Sequence, residues 1–306
     1  MSRFNTFRIS IEEYYRAHKR DLPWRKEVPV PYEVWLSEII LQQTRVAQGT
    51  PYFHKILQAF PSIESLAHAD EDKLLGLWTG LGYYNRARNL QKGAKQIRTD
   101  FNGQLPEQYD ELLKIKGIGP YTAAAIASIC FKEKIGVVDG NVYRVLSRYF
   151  GISTPTNSTS GQREFQTLAN ECIQGTEHPG MYNQGIMEFG ALHCTPKNPN
   201  CVYCPLSNSC HAYNSGAVTE LPVKLKKGKR TKETLHFGVV QTGNKVALRK
   251  RGTESIWAGL YEFPQLEGAS QYGQLLAEPM LHKLSHKDLY CSFWAVTEAE
   301  ISGDYN

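Results

Sequence analysis

Four cysteines fall between residues 194 and 210. Cys194, Cys201, Cys204 and Cys210 follow the spacing C-x6-C-x2-C-x5-C. Thiols this close in sequence converge on one metal centre when the chain between them turns back on itself, so this stretch is expected to be a compact metal loop. Structural zinc sites tend to use two CxxC-like knuckles, and only one pair here has that spacing. A four-iron cubane with four cysteine ligands accepts unequal loops more readily. Either centre consumes all four thiolates, so it is read as structural, with no open position for catalysis. His193 and His211 flank the loop and read as solvent-exposed neighbours. The other three of the seven cysteines are scattered, which argues against a disulfide framework and for a reducing, cytoplasmic compartment.

Upstream of residue 213 the chain reads as helix after helix. Segments such as "IEEYYRAH", "SEIILQQT", "IESLAHADEDKLLGLW", "NRARNLQKGAKQI", "YTAAAIASICF" and "NVYRVLSRYF" carry apolar residues at helical spacing. Turns such as "TGLGYY" and "KGIGP" separate them. Between residues 223 and 232, "VKLKKGKRTK" has no acid and reads as an exposed basic linker. Beyond it, "TLHFGVVQTGNKVALRKR" alternates around a Gly243-Asn244 hairpin, and "DLYCSFWAV" is strand-like. The expectation is a helical domain over 1–213, a linker over 214–233 and a small α+β domain over 234–306. No apolar run approaches the roughly 18 residues of a bilayer span, and the start lacks a signal peptide's apolar core. A net charge of +5 permits a polyanionic partner without requiring one.

Two features carry chemistry. "PYEVWLSEIILQQT" is a helix apolar nearly all round, yet it places Glu38 among Val34, Trp35, Ile39 and Leu41. A buried carboxylate is costly unless it is paired or used, so Glu38 is either half of a salt bridge or a working acid. "LLKIKGIGPYTAAAIAS" sets Gly117 and Gly119 in a turn between two helices. Glycine there allows positive φ and close approach, and the helix opening at Pro120 points free N–H groups and its positive dipole end outward, as a phosphate grip would.

The hairpin and the cysteine loop together resemble the helix-hairpin-helix glycosylase superfamily, over roughly residues 15 to 213. "LPWR", "PYEVWLSEIILQQT", "LWTGLGYYNRARNL" and "VVDGNVYRVLSR" resemble its MutY-type adenine DNA glycosylases. The resemblance implies a mainly α, two-lobed fold, with a six-helix barrel over 28–137 and an iron–sulfur lobe from 1–27 and 138–213. It implies a 4Fe–4S cluster on the four cysteines and a small Nudix-like domain after the linker. The implied partner is duplex DNA carrying adenine opposite 8-oxoguanine or guanine, bound by a monomer in the bacterial cytoplasm or nucleoid.

The resemblance also assigns roles. Glu38 would protonate adenine, and Asp139 would face the sugar cation, although Asp139 also precedes a helix and suits an N-cap. Trp24, Arg25 and Gln184 would line the base pocket, Tyr121 would lie near the flipped nucleotide, and Asn141 would orient Asp139. Gln43 and Tyr83 would enter the duplex, although one of Tyr83 and Tyr84 reads as a core aromatic. Lyase members carry a lysine where this chain has Tyr121, and Tyr143 replaces a lysine seen in some relatives. Both point to water as the nucleophile. Ser285 and His286 match a lesion-reading loop, but Leu284 stands where phenylalanine is usual, which places lesion discrimination in doubt. The chain also ends soon afterwards, so the small domain is expected to be minimal or incomplete. The alternatives are an endonuclease III-like lyase acting on oxidised pyrimidines and a non-catalytic iron–sulfur DNA-binding protein.

Overall fold

The computed structural model describes the chain except residues 1, 227, 229, 253–256, 269–273, 285–286 and 302–306, and the side chain of residue 299. Two compact units follow one another, Met1–Leu225 and Lys226–Asn306. Residues up to Leu225 are still tied to the helical unit, through Arg148 to Leu221 O at 3.1 Å, Thr156 N to Val223 O at 3.0 Å and Leu225 N to Asn157 Oδ1 at 2.8 Å.

The first unit contains α1 (Arg3–His18), α2 (Pro31–Leu41), α3 (Val46–Ala59), α4 (Ile63–Ala67), α5 (Glu71–Trp78), α6 (Asn85–Asp100), α7 (Tyr109–Leu112), α8 (Pro120–Phe131), α9 (Gly140–Phe150), α10 (Thr159–Ile173), α11 (Pro179–Leu192) and α12 (His211–Asn214). Helix α2 lies against α3, α6 and α8, and every residue from Tyr32 to Ile40 is buried. A second core gathers Phe7, Leu146, Tyr149, Phe165, Tyr182 and Phe189 from α1, α9, α10 and α11. Ala124 and Ala125 of α8 reach into that core, so α8 joins the two halves.

Two stretches read as single helices differ from that expectation. "SEIILQQT" is helical only to Leu41, because the terminal carbonyls of Ile39 and Ile40 and the Gln42 carbonyl are taken by Arg86 at 2.7–3.1 Å. "IESLAHADEDKLLGLW" is two helices, since Asp70 caps the second by accepting from Lys73 N at 2.8 Å.

The second unit holds β1 (Thr231–Val239), β2 (Gln241–Thr242), β3 (Lys245–Val246), β4 (Arg249–Lys250), β5 (Tyr261–Glu262), β6 (Gln265–Leu266), β7 (Leu275–Lys283) and β8 (Lys287–Ala295). Its main sheet has the order β6-β1-β8-β7, with β1 and β8 parallel. The expected hairpin at Gly243-Asn244 joins β2 to β3. Leu235, Phe237, Leu289 and Cys291 form a small core, and Leu284 packs on it.

Candidate active site

Where α2 and α8 meet α9 and α11, the helical unit opens a cavity of about 550 Å³. It brings together seven of the residues marked in the sequence: Trp24, Arg25, Glu38, Tyr121, Asp139, Asn141 and Gln184.

Glu38 projects from α2, and among the described residues its carboxylate forms no ion pair, which removes the salt-bridge reading. Burial pushes its pKa up to about 7, and repulsion from Asp139 adds to the rise. Hydrogen bonding with Tyr121 and the charge of Arg25 oppose it. The Tyr121 hydroxyl lies 3.1 Å from Met187 Sδ, an alternative acceptor for its single proton when Glu38 is neutral.

Asp139 is the N-cap of α9. Its Oδ1 accepts from Asn141 N at 2.8 Å and Val142 N at 2.7 Å, and its Oδ2 accepts from Asn141 Nδ2 at 2.9 Å. Burial raises its pKa despite these bonds and the nearby charge of Arg144. Asn141 is itself held, since Arg144 Nη2 donates to its Oδ1 at 2.9 Å. The same arginine donates from Nε to the carbonyl of Cys194 at 2.7 Å, so one side chain touches both the Asp139 group and the cysteine loop.

On the α11 wall, Tyr15 Oη donates to Gln184 Oε1 at 3.1 Å, which orients the amide. One turn further along, Glu188 is a residue the sequence reading missed. Arg20 donates to both of its oxygens at 2.7–2.9 Å, and Arg25 adds a bond at 3.0 Å. Burial alone would raise this carboxyl, yet the two arginines hold it at about 2. Its place four residues after Gln184, on the same helix face, is the signal that could have found it.

Other expected residues lie outside this cavity. Gln43 and Tyr83 are exposed on two loops, each with positive φ, 57° and 50°. Tyr84 is half-buried, so Tyr83 is the exposed member of the pair. Gly117 has φ +86°, and a Cβ there would lie 2.8 Å from Asn89 Cβ. Gly119, just before α8, faces open space. Tyr143 packs edge-on against Phe165. Ser285 and His286 lie outside the described residues; on either side of them, Leu284 N donates to Lys287 O at 2.8 Å.

Cys194, Cys201, Cys204 and Cys210 line one cavity of their own. Among the described residues, no three His, Cys, Asp or Glu side chains converge on a point as a single ion requires. Burial raises the Cys201, Cys204 and Cys210 thiols, Cys204 to about 12, and mutual repulsion adds to the rise. Four sulfurs that repel one another as anions are a donor set that a cationic centre satisfies. His193 is not a solvent-exposed neighbour. It stacks on Phe189 at 5.2 Å and lines this cavity, whereas His211 is exposed.

A cavity carrying Glu38 and Asp139, beside a glycine hairpin that opens a helix, is the arrangement of a DNA glycosylase of the helix-hairpin-helix class. Residues 36–170 match the HhH-GPD superfamily of base excision DNA repair proteins. The chain is 39% identical over 259 residues to the adenine DNA glycosylase of Buchnera aphidicola subsp. Schizaphis graminum, covering 85% of this chain and 74% of that one. It belongs to the adenine DNA glycosylase family, and is therefore a base excision repair enzyme. Among solved structures, a thermostable thymine-DNA glycosylase matches 69% of this chain and 97% of its own at 28% identity, with a TM-score of 0.64. An endonuclease III in non-covalent complex with DNA shares the fold over 71% of this chain and 99% of its own, at 23% identity and a TM-score of 0.57.

Proposed function

We propose that this enzyme hydrolyses the N-glycosidic bond of adenine mispaired with 8-oxoguanine, and of adenine opposite guanine less well. The observation that carries the reading is Glu38: a buried carboxyl without an ion pair among the described residues, facing the same cavity as Asp139. Near pH 7 it holds a proton that it can give to an adenine ring nitrogen. The bond from C1′ to the base then breaks, and its electron pair leaves with the neutralised adenine. The Asp139 carboxylate, fixed by Asn141 and the α9 N-terminus, stabilises the sugar cation or bonds to it transiently. Water adds at C1′, and its proton returns to Glu38.

Trp24, Arg25 and Gln184 line the space for the base, with Glu188 holding Arg25 in place. Gly117, Gly119 and the start of α8 grip a phosphate, while Gln43 and Tyr83 fill the stack that the flipped base vacates. Tyr121 and Tyr143 carry no amine, so the enzyme does not cleave the strand through an imine. Cys194, Cys201, Cys204 and Cys210 hold a 4Fe–4S cluster, which when bound supplies positive charge that keeps the loop closed. Ser285 and His286 read the oxidised guanine. The enzyme acts as a monomer in the cytoplasm.

One assay tests the reading. Duplexes carrying adenine opposite 8-oxoguanine, adenine opposite guanine, or thymine glycol are incubated with enzyme, with and without alkali. Strand breaks at adenine that need alkali, strongest opposite 8-oxoguanine, are expected; breaks at thymine glycol without alkali would overturn it. Iron analysis of the same protein should give about four irons per chain. Replacing both Ser285 and His286 with alanine should reduce the preference for 8-oxoguanine over guanine, by about tenfold to a hundredfold.

A further inference from the structure

Arg86 is the second residue of α6, and its side chain is buried. Nη1 lies near Ile39 O at 3.1 Å, Ile40 O at 2.7 Å, Gln42 O at 2.7 Å and Thr44 Oγ1 at 3.3 Å. Nη2 faces the other way, with Leu81 O at 3.4 Å and Gly82 O at 3.1 Å. One nitrogen therefore serves the end of α2 and the loop after it, and the other serves the loop before α6. The guanidinium also lies over the rings of Trp78, at 5.3 Å, and Tyr83, at 5.6 Å. Trp78 Nε1 donates to Gly82 O as well, at 3.1 Å, so that carbonyl is held from two sides.

Two of these acceptors have a particular place in the chain. The Gln42 carbonyl belongs to the peptide plane immediately before Gln43, and the Gly82 carbonyl to the plane immediately before Tyr83. Fixing a peptide plane constrains the φ of the residue that follows it. Gln43 and Tyr83 both have left-handed φ, 57° and 50°, a region that side-chain-bearing residues adopt at a cost. Such conformations persist where the surroundings over-determine them. Here the same guanidinium supplies that constraint to both.

We propose that Arg86 is a positioning residue for base extrusion: it locks the peptide planes ahead of Gln43 and Tyr83 so that both side chains stand ready to enter the duplex together. The proposal rests on the reading of those two as the residues that fill the stack. Arg86 itself meets no base in this role; it acts through the two loops. Arginine suits the task because its planar fork presents donors on divergent edges, whereas a lysine ammonium is a single point that satisfies one loop at a time.

The test compares wild-type enzyme with Arg86→Lys, which keeps charge and approximate volume, and Arg86→Met. Gln43→Ala, Tyr83→Ala and the double variants of each with Arg86→Lys complete the set. Flipping is followed by the fluorescence of 2-aminopurine placed beside a non-cleavable 2′-fluoroadenosine opposite 8-oxoguanine. Excision is measured under single turnover, and folding by thermal melting. Arg86→Lys is expected to melt close to wild type and to bind the duplex nearly as well. It should lose flipping amplitude, and with it about a hundredfold in excision. Its loss combined with Tyr83→Ala should be much smaller than the product of the two single losses, because both act through one step. Multiplicative losses, or normal flipping with slowed excision, would overturn the proposal. Should Arg86→Met fail to fold, Arg86→Lys decides alone. If Gln43→Ala and Tyr83→Ala flip normally, the stack-filling reading falls and this inference with it. If they impair flipping while Arg86→Lys does not, only the inference falls.

Discussion

The α2 and α11 walls of the candidate active-site cavity each present a glutamate, and the two are held in opposite states. Glu38 on α2 has no ion pair among the described residues, and burial pushes its pKa up to about 7. Glu188 on α11 is buried too, but Arg20 and Arg25 hold it at about 2. Burial acts in the same direction on both. What separates them is whether a cation is within bonding distance, and that divides an acid that can give up a proton from an anion that anchors a wall.

The largest expected effect is on Glu38. Glu38→Gln removes the proton donor while keeping size and polarity. Single-turnover excision should fall by at least about 10²–10⁴, with mismatch binding nearly unchanged in a gel-shift titration. Near wild-type excision would end the contrast between the walls. Glu188→Ala attacks the other side. It leaves Arg20 and Arg25, both partly exposed, without their carboxylate, and should destabilise the fold by about 1–3 kcal/mol, read by thermal melting.

The pH dependences should then run in opposite directions. Glu38 has a folded pKa above its ordinary value of 4.5, so the folded state binds more protons between pH 4.5 and about 7. Its contribution to stability is full below pH 4.5 and declines as pH rises towards 7. Glu38→Gln should therefore melt higher than wild type at pH 8, by the equivalent of about 3 kcal/mol, and lose that advantage near pH 4. For Glu188, depressed to about 2, stability is present above pH 4.5 and is lost as pH falls through 2. Wild-type excision should also decline above about pH 7 as Glu38 deprotonates. The smallest effect concerns Tyr121→Phe. Removing a hydrogen bond that lowers the Glu38 pKa should move that alkaline decline to higher pH. A shift to lower pH would mean that the tyrosine supports the neutral acid instead.

Glu38 and the four cysteines were legible because they break a local pattern, whereas Trp24, Arg25, Tyr121, Asn141, Gln184 and the role of Asp139 were legible only through the family resemblance. Glu38 interrupts an apolar helix, Asp139 stands before a helix start, and four cysteines crowd one loop. Glu188 and Arg86 break no pattern. "GIMEFGA" reads as an ordinary helix with one polar position, and "NRARNL" as the start of an ordinary helix, with nothing that singles out Arg86. Their burial depends on partners far along the chain: Arg20 for Glu188, and the Ile39, Ile40 and Gln42 carbonyls for Arg86. The same limit applies to the small unit. "DLYCSFWAV" announced a strand, but its parallel pairing with Thr231–Val239 joins segments that no local signal connects.

Asp139 both caps α9 and faces the cavity, and that pairing bears on how a cell would experience its loss. Asparagine caps helices about as well as aspartate, so Asp139→Asn should leave the melting temperature almost unchanged. Quality control acts on the unfolded fraction and has no measure of a missing charge. With the role proposed for Asp139, such a protein would persist at normal abundance, bind its substrate DNA and sit on it without clearing it. It would then be a competitor to repair, which is a heavier burden than simple absence of the enzyme.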